Sequence, residues 1–188
     1  MRDEPPTVRG ALLLGVQSWL SSELSVTQFE AFTASLIPED AAIVSDRSVI
    51  NQSRIPAEQF GRITERMIDR WGLEGPRGFH SIAGHIAIAD LKGYMKVLLH
   101  LGTPKFVLHR FPKVWHHYFS HGEVTVTELG GNVFRVNLSG AAIYGAGAVE
   151  GNVGWMRAAL EYSGAKSVKV AKAQPVDPND VVFQISWI

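Results

Sequence analysis

Val124-Thr125-Val126-Thr127-Glu128-Leu129-Gly130-Gly131-Asn132-Val133-Phe134-Arg135-Val136-Asn137-Leu138 is the stretch on which the fold turns. Val124 and Val126 alternate with polar residues before a Gly130-Gly131-Asn132 turn, and Phe134, Val136 and Leu138 alternate after it. An apolar side chain at every second position lays one face of a strand on a core. Two such runs around a glycine-rich turn specify a β-hairpin.

Upstream of Gly122 the period is helical. Leu12, Leu13, Val16, Trp19, Leu20 and Leu24 recur every three or four residues, although a short strand at Ala11–Leu14 fits the same run. Ser25 or Thr27 caps a second helix carrying Phe29, Phe32 and Leu36, and Pro38 stops it after Ile37. Pro56 suits the first turn of a third helix, with Phe60, Ile63, Met67, Ile68 and Trp71 on it and Gly72 at its end. After the turn Gly75-Pro76-Arg77-Gly78, an apolar helical stretch runs from Phe79 to Leu101. Thr103-Pro104 then starts another helix, as a capping residue followed by proline at the first helical position.

Downstream of the hairpin, Val149–Tyr162 reads as a helix ended by Gly164. Lys166–Ala171 alternates as an exposed edge strand, and Val181–Ile188 follows a proline-rich turn as a final strand. The order gives an α+β class: a helical N-terminal half packed on an antiparallel sheet, formed mainly by two C-terminal hairpin-like strand pairs flanking a helix. Residues 1–8 read as a flexible lead-in and 9–188 as one domain.

Composition narrows the function. The 188 residues are 46% hydrophobic and 19% charged, with 18 Lys and Arg against 18 Asp and Glu. No net charge favours nucleic acid or an anionic membrane. With no cysteine, disulfides, thiolate catalysis and cysteine-ligated zinc are excluded. The charged, proline-broken N-terminus is unlike a signal peptide, and the apolar runs are too short to cross a bilayer, so a cytoplasmic protein with no membrane insertion is expected.

Several stretches carry a resemblance: Leu36-Ile37-Pro38-Glu39-Asp40, Leu101-Gly102-Thr103-Pro104 leading to Phe111-Pro112-Lys113-Val114-Trp115-His116-His117-Tyr118-Phe119, Glu128-Leu129-Gly130-Gly131-Asn132, Ser163-Gly164-Ala165-Lys166, and Phe183-x-Ile185-x-Trp187. Together they resemble a family abundant as paralogues in myxobacteria. That family is distantly similar to 4-vinyl-reductase-type domains and to the ligand-binding domains of nitric-oxide signalling and vesicle-tethering proteins. The resemblance implies an α+β sensor or scaffold module able to enclose an apolar pocket. Two departures matter. The loop Ala173–Asp180 lacks the cysteines that many 4-vinyl-reductase-type domains carry there, and the Tyr-x-Ser-x-Arg motif of haem-binding sensors is missing, since Tyr162 is followed directly by Ser163. Neither a metal nor haem is expected, and no cofactor.

Phe111 and Trp115, and Trp115 and Phe119, are four apart, so they form a stripe on one helical face with Tyr118 beside it. The stripe reads as core, as an interface, or as the lining of a ligand cavity; for that lining the residues are Tyr94, Phe111, Trp115, Tyr118, Phe119 and Trp155. All seven histidines lie between His80 and His121. His117 and His121 would share a helical face at metal-binding spacing, but no third ligand is placed, and they read as surface or helix-end groups. Gly145-Ala146-Gly147-Ala148-Val149-Glu150-Gly151 lacks the parallel-strand context of a nucleotide site and reads as flexible entry to a helix. Glu39 and Asp40 read as solvated loop charge, while Ser120, His121 and Asp90 could form a triad only if the fold assembled them. No catalytic motif is present. The expectation is a non-catalytic, sensor-like domain enclosing a small apolar or amphipathic ligand. The alternative is a homodimeric interaction or scaffold module without ligand, or one that docks a signalling protein.

Overall fold

The computed structural model describes residues 4–92 and 103–188. The elements run β1 (Thr7–Arg9), α1 (Gly10–Glu23), α2 (Val26–Thr33), α3 (Pro38–Ser45), β2 (Arg54–Pro56), α4 (Ala57–Trp71), α5 (Phe79–Lys92) and α6 (Pro104–Tyr118). Then come β3 (Glu123–Gly130), β4 (Val133–Ser139), a 3-10 turn over Ala141–Tyr144, α7 (Gly145–Tyr162), β5 (Lys169–Ala173) and β6 (Val181–Ser186). The fold is α+β.

The hairpin forms where alternation puts it. β3 and β4 pair antiparallel with Val126 opposite Val136, and Gly130 and Gly131 take the positive φ of 116° and 58° that the turn demands. β4 continues into β6, which pairs with β5, so the sheet order is β3-β4-β6-β5 and antiparallel throughout. Phe134, Val136, Leu138, Phe183 and Ile185 are all fully buried and form the inner face of the sheet.

β1 and β2 make a second, two-stranded sheet, with Thr7, Val8 and Arg9 opposite Pro56, Ile55 and Arg54. The lead-in is therefore shorter than expected, because Val8 is fully buried and bridges to Phe119. Ser120 seals the crossing: its N–H donates to the Thr7 carbonyl at 3.1 Å, and its Oγ accepts from the Thr7 N–H at 2.8 Å.

Three local expectations are corrected. Pro38 does not end a helix; α2 stops at Thr33 and Pro38 opens α3, where its missing N–H costs nothing. Asp40 is not solvated loop charge. It sits in α3 at 2% exposure and takes both arms of the Arg62 guanidinium, at 2.7 and 2.9 Å. The glycine run is not a flexible entry but the first turns of α7, where a side chain at Gly147 would overlap Thr64 of α4. Tyr94 and the end of the expected Phe79–Leu101 helix lie outside the described residues.

Candidate functional site

α6 is built to present one apolar face. Thr103 caps it by accepting from the Phe106 N–H, Pro104 occupies its first turn, and Val107, Leu108, Phe111, Val114, Trp115 and Tyr118 are buried along it. Phe111, Trp115, Tyr118 and Phe119 line an apolar cavity of about 50 Å³, which Trp155 of α7 completes. Five of the six residues marked in the sequence thus come together. Their packing is aromatic: Trp115 stacks on Phe119 with centroids 4.0 Å apart, and Phe111 lies 5.7 Å from Trp155.

The opposite wall was not legible from that stripe. Leu12 and Val16 of α1, Phe60 of α4 and Ile86 of α5 close the cavity. Each belongs to a helical apolar face that is visible in the sequence, but nothing local says that these faces converge. Tyr144, 1% exposed, was missed as well. Its ring stands edge-on to Trp115 and Phe119, and its hydroxyl accepts from the His121 N–H at 2.8 Å. The Trp115 Nε1–H donates to the His121 carbonyl at 2.9 Å, so the turn after α6 is held by two buried rings.

The few polar groups at the cavity are mostly tied elsewhere. Thr64 donates to the Phe60 carbonyl and Asn152 to the Ala148 carbonyl, within their own helices. Tyr118 donates its hydroxyl hydrogen to Asp90 on α5. Burial, and then the adjacent Asp90 carboxylate, push the Tyr118 phenol well above its ordinary pKa. Burial likewise raises the Asp90 carboxyl, against the opposing bond from Tyr118. The Trp155 Nε1–H is buried with no hydrogen-bond partner among the described residues, although it lies near enough to Tyr118 to oppose the rise there.

The described histidines do not gather; His100 lies outside the described residues. α6 ends at Tyr118, so His117 and His121 do not share a helical face. His117 faces Arg9, and His121 Nδ1 lies 2.7 Å from Ser120 Oγ. Asp90 is engaged by Tyr118, so no triad forms with that pair. Among the described residues no three His, Asp or Glu side chains could hold a metal ion. The best-buried of the described histidines is His80, with Nδ1 2.9 Å from Glu74 and Nε2 2.8 Å from Glu150. Lys172 of β5 bonds the other Glu150 oxygen. Burial alone would raise the Glu150 carboxyl, but the bonds from Lys172 and His80 hold it below its usual value. The interface reading of the aromatic stripe is also excluded, because Phe111, Trp115, Tyr118 and Phe119 are at most 7% exposed.

No protein-family model matches the chain, and no curated protein matches it. Solved structures do. An H-NOX protein from K. algicida, described as Fe(II) unliganded, superposes with a TM-score of 0.70 at 12% identity, over 96% of each chain. An H-NOX protein from S. oneidensis in the Fe(II)NO ligation state gives 0.71 at 10%, over 96% of this chain and 99% of that one. A point mutant of T. Tengcongensis H-NOX gives 0.62 at 9%, over 95% and 97%. The chain has the H-NOX fold, in line with the expected likeness to nitric-oxide-signalling domains. At these identities the likeness reaches no further than the fold. No helix among the described residues is long and apolar enough to cross a membrane.

Proposed function

We propose that this chain is a non-catalytic, sensor-like domain that binds a small apolar molecule directly between its helices, without haem. The observation that carries this reading is the apolar cavity walled by Phe111, Trp115, Tyr118, Phe119 and Trp155. Rigid aromatic walls around a small apolar void favour an uncharged guest of few atoms.

Neighbouring structures are described in Fe(II) states, and one concerns haem redox potential. The residues present here do not fit that group. A void of about 50 Å³ is smaller than the ~150 Å³ that admits benzene, let alone a porphyrin. No histidine lines it among the described residues, so an axial ligand is lacking there. Trp115 and Phe111, both at most 2% exposed, are packed into the wall of that void. Thr64 and Asn152 bond within their helices and Tyr118 bonds Asp90, while the Trp155 Nε1–H is a donor only; no free base among the described residues faces the void, which supports a binding role over a catalytic one.

Xenon under pressure is the direct probe, read by amide and methyl NMR shifts of the full chain. Saturable shifts at Val16, Ile86 and Val114, lost in Ala148→Leu, are expected. Shifts scattered over the surface, or shifts unchanged in that variant, would remove the reading. A second reading, two copies joined through the β5 edge, is favoured by one feature: β5 pairs on one side only among the described residues. Light scattering that shows a monomer at micromolar concentration disposes of it.

A further inference from the structure

A second cavity of about 100 Å³ lies on the other side of Tyr118, bounded by Arg9, Asn51, Gln52, Asp90 and His117. It has a cationic end and an anionic end that do not pair. Arg9 and Arg54 stand directly opposite in β1 and β2, and neither has a carboxylate within 4.0 Å among the described residues. Like charges placed opposite across a strand pair destabilise it unless something neutralises them. The Arg9 Nε is buried without a hydrogen-bond partner among the described residues, and its Nη1 donates to His117 Nδ1 at 3.4 Å. That nitrogen accepts only in a neutral ring. Burial first, and then Arg9 and Arg54, push the His117 pKa down, which agrees.

The start of α1 adds to the same end. Ala11, in its first turn, is part of the cavity wall, and the helix has no acidic residue there and no side-chain cap. A helix start of this kind favours a negative group. At the other end, Asp90 Oδ2 takes the Tyr118 hydroxyl hydrogen, while Oδ1 has no hydrogen bond among the described residues. Burial raises this carboxyl, and no cation among the described residues offsets it.

We propose that this cavity binds a small zwitterion of the amino-acid class, with its carboxylate on Arg9 and the α1 start and its ammonium on Asp90. Opposite charges held apart in one cavity match the two ends of a single molecule. Either charge alone would favour a simple ion, and water alone would leave the facing cations of Arg9 and Arg54 without a counter-charge. The amides of Asn51 and Gln52 lie at the rim, where they can take the remaining polar atoms. The volume restricts the guest to a few heavy atoms, so glycine is the natural probe.

The test titrates the isotope-labelled full chain with glycine, acetate and methylammonium, following the amides of Ala11, Asn51 and Asp90. Glycine is expected to give saturable shifts, with acetate and methylammonium each at least about tenfold weaker. Arg9→Gln and Asp90→Asn are each expected to weaken glycine by about tenfold or more. Acetate binding as tightly as glycine and indifferent to Asp90→Asn overturns the proposal in favour of a plain anion site. No saturable shift with any probe overturns it outright. Should Arg9→Gln fail to fold, the rank order of the three probes on the natural chain decides, with thermal protection by glycine but not acetate as a second readout.

Discussion

His80 and Glu150 meet at 2.8 Å although they are 70 residues apart in the chain. Their contact ties α5 to α7, and Lys172 extends it to the edge of the sheet. One ring thus bridges two carboxylates, Glu74 at Nδ1 and Glu150 at Nε2.

The acid limb of stability should trace this cluster. Glu74 is held below its ordinary value, chiefly by the His80 bond, and Glu150 by Lys172 and His80 against burial. A depressed folded-state pKa stabilises the fold above the unfolded value and is lost as pH falls through the folded one. Urea midpoints should therefore drop below about pH 4.5, near the unfolded glutamate value. Glu150→Gln should flatten that fall and lower stability at neutral pH by about 1.5–3 kcal/mol.

Asp90 should act with the opposite sign. Its raised pKa means that the folded state binds the proton more tightly, so stability declines as pH rises from the unfolded aspartate range through the folded value. Asp90→Asn keeps an acceptor for Tyr118 and removes the buried charge. Its Tm should exceed that of the natural chain at neutral pH, and the difference should shrink in acid. A lower Tm at pH 7 would contradict this account.

Asp40→Ala should cost about 1.5–3 kcal/mol, since it strips two charged hydrogen bonds from Arg62 at a site 2% exposed. Exposed carboxylates such as Glu58 should be nearly silent by comparison. Chemical denaturation of the two alanine variants side by side checks it.

Gly154→Ala should lower stability by about 1–3 kcal/mol or more. A Cβ there would overlap the His80 carbonyl, and backbone yields less readily than a flexible side chain. Thermal melts of Gly154→Ala against Gly151→Ala separate the cases, because a Cβ at Gly151 meets only Phe79, at an ordinary 3.7 Å.

Leu12→Ala should enlarge the apolar cavity. A loss of about 2–4 kcal/mol is expected, partly recovered under xenon if the void fills. An unchanged melting temperature under the gas would show that the space stays empty.

These sites differ in how far the sequence announced them. The β3–β4 hairpin was legible because alternation and a double glycine are local signals, and Phe111, Trp115 and Phe119 because four-residue spacing fixes a helical face. Pro38 misled because a missing N–H is equally compatible with the residue after a helix and the first residue in one. Asp40 and His80 were illegible for a different reason. Their partners Arg62 and Glu150 lie 22 and 70 residues away, and pairing at that range is decided by how helices pack. The wall of Leu12, Val16, Phe60 and Ile86 was visible only as separate apolar stripes.

Tyr118 stands between the two cavities, its ring on the apolar side and its hydroxyl beside Asp90 on the polar one. A guest that reorients this side chain from one side changes what a guest meets on the other. Such linkage is reciprocal: whatever factor one ligand imposes on the second, the second imposes on the first, typically about 5- to 150-fold. With guests in both cavities, one phenol would carry the coupling between them, favourable or unfavourable by the same factor in each direction.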